Sequence, residues 1–423
     1  MSIGFTFTGR VKKPETLLVA AQRLAEERSY GVYQREDGLS LSLCPLDGRV
    51  YMTWKKEGGL LGQWTVEGEC VSTPAGPGLH KAAVEALDAL PIQKLHVEDE
   101  TEYFQHRDFD RMLREHFHPW LKTMVDMLTG QFGEDHTNVC MCWDLDAYMP
   151  EDVPGTVVTP VGRFSAKWMR ETVENQGIET LAERFFLWYH PGKRDALYNR
   201  QVALNLLWEH CYYAPSSRSR EDASNNEIVC KNLEMASMLD RNIPLPRKAY
   251  EEICQLARRA PALPDGPDLE EEFEPGYRKG LVTCPMGPLR LTLPGLYCHE
   301  REQWENGNGC EKWCDETGLS PIWRVNGYRM NQGDAAFTPV FDGDNDLTRF
   351  EIKDGAVQYG WRALEEDGQS IYQVRAEVVT GPFLFVITVT YLEPEDRPGI
   401  EELIRKITVQ TQSVEKQTIQ ADK

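Results

Sequence analysis

The chain reads as a multidomain α+β protein, and three features point there. Its 423 residues exceed what one hydrophobic core usually fills. Turn-separated strand patterns gather at both ends, whereas 3.6-residue periodicity dominates the middle. A stretch rich in proline and carboxylates, APALPDGPDLEEEFEPG, divides the middle from the last third. The resulting division is a small N-terminal α/β domain over 1–150, a helical domain over 160–260, a linker over 261–276, a C-terminal α/β domain over 277–410 and a flexible tail over 411–423.

Taken in order, Ile3 to Thr8 alternates like a short strand, and Pro14 stands where a helix begins, followed by Leu17, Leu18, Ala21, Leu24 and Ala25 on one face. Strands are expected at Tyr30–Gln34, Leu39–Leu43 and Val50–Trp54, with Asp37-Gly38 and Asp47-Gly48 as hairpin turns, and another at Gly62–Val66. Leu79, Ala82, Ala83, Ala86, Leu87 and Leu90 form a second helical face. A longer helical pattern runs from about Glu102 to Leu128, and Pro119 should kink or split it near His116.

From Arg163 to Ala260 the pattern is almost wholly helical. Faces are formed by Ile178, Leu181 and Phe185, by Leu197, Leu204, Leu207, Trp208 and Cys211, by Val229, Leu233, Ala236 and Leu239, and by Ala249, Ile253, Leu256 and Ala257. The polar stretch Ser216 to Asn226 reads as a loop. In the last unit, strands are expected at Leu289–Leu293, Phe350–Lys353, Val357–Trp361, Ile371–Val379 and Phe383–Tyr391, and a closing helix carries Ile400, Leu403, Ile404 and Ile407.

Hydrophobic residues at 41% and charged residues at 27% exclude wholesale disorder. The formal charge is −21, from 67 acidic and 46 basic side chains, a field that repels nucleic acid and anionic membranes. It suits a basic protein partner, and it also serves plain solubility. The start, MSIGFTFTGR, lacks the basic-then-apolar build of an export signal. The longest strongly apolar run, Phe383 to Val389, falls far short of the ~20 residues a membrane helix needs. Eleven scattered cysteines then read as buried free thiols, and the expected compartment is the cytoplasm.

The order of elements in the last unit resembles the PsbP-like family of small α/β sandwiches. The resemblance rests on LRLTLPGLY (Leu289 to Tyr297), the hairpin RFEIKDGAVQYGWRA, and the strand pair YQVRAEVVTGPFLFVITVTY leading into GIEELIRKIT. It covers about residues 277–410, implies a non-catalytic binding or accessory module, and carries over no functional residue.

Four groups of residues could bear chemistry. Cys298, His299, Cys310 and Cys314 offer thiolates and an imidazole for zinc, although C-H-x10-C-x3-C is not a pair of short chelating hooks. Cys140 and Cys142 should share one side of a strand around Met141. Asp342-Gly343-Asp344-Asn345-Asp346 opens like a calcium loop, but Leu347 and Lys353 occupy positions that need glycine and glutamate. Glu102, His106 and Asp110 are spaced to share a helical face, with His116 and His118 close by.

Each group has an ordinary structural reading, and the chain carries no phosphate loop, nucleophile elbow or dinucleotide fingerprint. The sequence therefore designates no catalytic, cofactor-binding or metal residue. The expected function is a non-enzymatic protein-binding module, in one version an inhibitor or immunity-type protein that neutralises a basic target. A hydrolase with a site between domains and a helical scaffold are the alternatives. No oligomeric state can be read from the sequence.

Overall fold

The computed structural model describes residues 2–45, 48–57, 63–131, 139–143, 149–150, 153–192, 194–269, 276–303, 309–315, 318, 321–338, 345–366 and 368–410. It is a mixed α+β protein with several sheets and a helical middle. Among these residues no helix is long and apolar enough to cross a membrane.

The first sheet is built from β1 (Gly4–Val11), β2 (Gly31–Gln34), β3 (Gly38–Cys44), β4 (Gly48–Glu57), β5 (Gln63–Val71) and β6 (Gln93–Asp99), ordered β2-β3-β4-β5-β1-β6 and antiparallel throughout. Alternation decides its faces. Phe5, Phe7, Met52, Val66, Cys70 and Val97 turn inward, where α1 (Pro14–Arg28) and α2 (Pro77–Ala89) cover them. Both helices begin on proline, whose fixed φ suits the first turn. The 102–128 pattern is broken twice. After α3 (Tyr103–His106), Arg107 at φ 56° ends the helix. Beyond α4 (Phe109–Met112), a single π turn at Leu113–Phe117 precedes α5 (His118–Gln131). Pro119 supplies no amide for a regular ladder, and the wider turn takes up the mismatch.

Two-residue strands β7 (Val139–Cys140) and β8 (Met149–Pro150) precede the hairpin β9 (Thr156–Thr159) and β10 (Gly162–Ser165), and β7 pairs parallel to β9. The helices α6 (Ala166–Asn175), α7 (Ile178–Phe185), α8 (Ala196–Asn205), α9 (Arg220–Leu239) and α10 (Arg247–Leu256) follow, with a π turn at Leu206–His210. The polar stretch expected as a loop is instead, from Arg220 on, the first two turns of α9. Ser219 caps it by accepting from the Asp222 amide at 2.9 Å. Arg218 then grips the buried Asp222 carboxylate at 2.7 and 3.0 Å, and the Asn226 side chain donates to the Ala214 carbonyl at 3.1 Å. Leu239, expected on the buried face, is 51% exposed.

The last unit holds β11 (Leu281–Met286), β12 (Leu289–Pro294), β13 (Cys298–Gln303), β14 (Gly309–Cys314), β15 (Ile322–Arg329), β16 (Asn345–Ile352), β17 (Gly355–Glu366), β18 (Gln369–Thr380), β19 (Phe383–Tyr391), α11 (Arg397–Arg405) and β20 (Thr408–Val409). Seven strands form one sheet, β13-β14-β15-β19-β18-β17-β16, and β20-β12-β11-β8 form another. Rows such as Trp313, Trp323, Val389 and Val374 point from the large sheet toward β12 and α11. Buried residues fall into two clusters, one running from Ile3 to Leu269 and one from Val282 to Val409. The first part of the linker lies against the helices: Leu245 and Asp268 form a bridge, and Arg247 donates to the carbonyls of Pro264 and Pro267 at 2.7 and 3.2 Å. Residues 270–275 and the tail from 411 lie outside the described residues.

Candidate acidic cleft on the first sheet

The exposed face of the first sheet follows from strand register. Thr6 stands directly between Glu69 on β5 and Glu98 on β6, so two carboxylates flank one hydroxyl across three strands. Glu67 and His96 flank Thr8 in the next row, and His96 Nε2 lies 3.7 Å from Glu98. The chain then turns from β6 into α3 and brings Glu100 and Glu102 to the same edge. Together these surfaces enclose a cleft of ≈ 730 Å³ lined by Thr6, Glu69, Glu98, Asp99, Glu102 and His106, among others.

A buried polar network lies behind Asp99, which lines the cleft. His80, on α2, is fully buried, with Nδ1 2.8 Å from Ser72 Oγ and Nε2 3.2 Å from both Thr101 Oγ1 and Asp99 Oδ1. Asp99 also accepts from the Thr101 amide and hydroxyl at 2.8 Å and from the Phe104 amide at 2.8 Å, which starts α3. Burial would raise the Asp99 pKa, but the His80 contact and these amides outweigh it and bring it down to about 2. The set holds serine, histidine and aspartate, but with the nitrogens exchanged: the hydroxyl meets Nδ1 and the carboxylate Nε2, whereas a hydrolase triad has the hydroxyl at Nε2 and the carboxylate at Nδ1. What decides the matter is access: Ser72 is fully buried, and neither it nor His80 lines the cleft. The network anchors Asp99 and presents no nucleophile.

Several residues singled out by spacing are placed differently. His106 Nε2 lies 3.6 Å from Glu102, but the helix ends at Arg107, and Asp110 falls on α4. Arg111 rather than Asp110 meets Glu102, at 2.8 Å, and it also meets Glu115 at 2.8 Å. His116 lies on the π turn. His118 is buried, with Nε2 2.9 Å from the Tyr189 hydroxyl, and burial lowers its pKa.

Cys298 faces Cys314, and Cys310 faces Glu302, on one side of the β13–β14 pair. His299 faces Trp313 on the other side, where it bonds Glu311 at 2.7 Å. Strand alternation thus divides those four residues between two faces. The strand ends at Cys140, and Cys142, at φ 55°, leaves the extended path, so the two cysteines do not share one side of a strand as expected. Asp342 to Asp344 lie outside the described residues, and Asp346 accepts from the Trp361 indole at 3.0 Å. Among the described residues no disulfide joins the cysteines, and no three histidines, cysteines or carboxylates converge for a metal.

Glu69, Glu98 and the His80 network were not singled out from the sequence. The Glu-x-Glu of β5 and the Thr-x-Thr of β1 become neighbours only through a pairing some sixty residues apart.

No family model matches the chain, and no curated protein matches it. Among solved structures, a crystal structure from Bacteroides thetaiotaomicron is similar at 15% identity and a TM-score of 0.23, over 30% of this chain and 46% of that one. The chain spans less than half the length of that structure.

Proposed function

We propose that this is a non-enzymatic protein-binding module whose acidic cleft receives basic side chains of another protein, as an inhibitor or immunity-type protein does with a basic target. The observation that carries the reading is the Glu69–Thr6–Glu98 row at the mouth of the cleft, with Glu102 beside it. The two carboxylates stand on either side of β1 and both line the cleft, and a lysine or arginine seated over Thr6 between them would be paired from both sides. The net charge of −21 steers such a partner from a distance. For the last unit the PsbP-like reading stands as part of the same proposal, and it agrees with an accessory rather than a chemical role. The strand pair β18–β19 running on into α11 supports it.

The test is native purification from cells carrying the neighbouring genes, followed by mass spectrometry of what co-elutes in stoichiometric amount. A basic protein is expected, with an association rate that falls about tenfold or more from low to physiological salt. Glu69→Gln with Glu98→Gln should slow association and flatten that salt dependence. An acidic partner, or a rate indifferent to salt, would sink the reading.

A further inference from the structure

Cys230 on α9 and Cys254 on α10 are fully buried where the two helices pack, and their Sγ atoms lie 3.8 Å apart. That is contact distance for two sulfurs. Bonded sulfurs sit at about 2 Å, so an approach of less than about 2 Å would join them. The helix that covers the pair is a surface element. α10 buries Ala249, Tyr250, Ile253 and Cys254 and leaves Lys248, Glu251 and Gln255 exposed. A ten-residue helix held by one face opens locally far more readily than a whole core unfolds.

A second observation gives the pair a role beyond packing: the turns that carry the thiols also fasten the linker. Glu234, one turn after Cys230, accepts from the Tyr250 hydroxyl at 2.7 Å and from Arg259 at 2.6 Å. Tyr250, one turn before Cys254, accepts in its turn from the Ala262 amide at 2.8 Å. At the start of α10, Arg247 donates to the Pro264 and Pro267 carbonyls. The linker is thus tied at Ala262, Pro264 and Pro267 to side chains of α10. Lifting α10 from α9 loosens the chain that leads to the second unit.

We propose that Cys230 and Cys254 are a redox pair, which a small-molecule disulfide such as oxidised glutathione reaches while α10 is lifted, and whose oxidation staples α10 to α9. With α10 in place the pair is inert, because burial first and the neighbouring thiol second push the Cys230 pKa up. Once α10 is lifted, one thiol loses its proton and the thiolate attacks the small disulfide. A mixed disulfide forms and one small thiolate leaves. The other cysteine, deprotonated likewise, attacks the protein sulfur of that mixed disulfide, and the second small thiolate leaves. The protein gives up two electrons and two protons, and the small disulfide becomes two thiols. In the reduced chain α10 and the linker open together; in the oxidised chain both stay fastened to α9. This goes beyond the binding role of the acidic cleft and does not rest on it.

The test incubates the full chain with excess oxidised glutathione, alkylates the remaining thiols and maps the peptides by mass spectrometry. Peptides joined through Cys230 and Cys254 are expected, with no glutathione retained on either residue. The link should form several-fold faster in urea below the unfolding transition and in Tyr250→Phe, since both loosen α10. In the linked chain the α10 amides from Tyr250 to Ala257 should exchange with solvent at least tenfold more slowly. Cys254→Ala should leave glutathione on Cys230 in place of the link, and if that variant does not fold the parent chain decides alone. Three outcomes would overturn the proposal: no link between Cys230 and Cys254, glutathione that stays on either of them in the parent chain, or a link that leaves the exchange of α10 unchanged.

Discussion

Asp99 joins three elements of the first unit through one side chain. It ends β6, starts α3 through the Phe104 amide, and meets His80 of α2 at 3.2 Å. Its pKa is depressed from 3.8 to about 2, so its contribution to stability is fully present above pH 3.8 and is lost as pH falls through about 2. That interval corresponds to about 2 kcal/mol. Asp99→Asn keeps the shape but loses the charge that the amides and His80 select. It should lower the urea midpoint by about that energy at pH 7 and remove this portion of the acid limb. An acid limb identical in the variant and the parent chain would contradict the assignment. A similar argument holds at Gly68 on β5, where a Cβ would run into the Tyr51 carbonyl and the Phe7 ring. Gly68→Ala should therefore destabilise the sheet by about 1–3 kcal/mol, read as a lower thermal midpoint.

At the scale of elements, α8 shows how a helix with little amphipathic pattern is held. All of its residues but the half-buried Leu197 are buried, and Asp195 caps its start by accepting from the Tyr198 amide at 2.8 Å. The same carboxylate bonds His190 Nδ1 at 2.6 Å, and that bond, followed by the contact with Glu183, raises the His190 pKa to about 9. A raised pKa means that the pair stabilises fully below pH 6.5 and stops doing so as pH rises through about 9. His190 is 43% exposed, so solvent screening keeps that energy small. Asp195→Ala should cost about 1 kcal/mol through the lost cap. It should also bring the midpoint of the His190 ring resonance back toward 6.5, and a midpoint that stays near 9 would refute the pairing. Elements with a strong single periodicity were legible in the sequence: α1, α2, β18 and β19 fall where their patterns place them. Three strands of the large sheet were not. β13, β14 and β15 read CHEREQ, GCEKWC and IWRVNGYR, with charged residues on one face that pair across strands, as Lys312 does with Glu300 and Arg324 with Glu302. Such strands acquire their identity from partners distant in sequence. The same holds for the opening turns of α9, whose Asp222 and Asn226 are polar by composition and buried by pairing.

For the whole molecule, the question is how two separate cores behave as one body. Polar contacts cross the seam. β8 extends the second sheet through pairing with β11, although it precedes the helices in the chain. Arg278 reaches both units and is 8% exposed. It donates to the Glu209 carbonyl at 2.9 Å on one side and to the Gly295 carbonyl at 3.2 Å on the other, and it lies 4.8 Å over the Tyr212 ring. Lys279 adds an ion pair to Glu252 at 2.5 Å and lies over Tyr213. A guanidinium that bonds carbonyls from both units couples their unfolding in a way that a patch of leucines would not, because its loss leaves polar backbone groups unpaired on both sides. Arg278→Ala should therefore weaken coupling more than it weakens either core. Calorimetry should then resolve two transitions where the parent chain shows one or a closely merged pair, with the upper midpoint shifted less than the lower. A single transition moved down intact would mean that the units are joined through the β8–β11 pairing instead, and Val282→Pro, which removes a ladder amide in β11, would be the substitution that separates them.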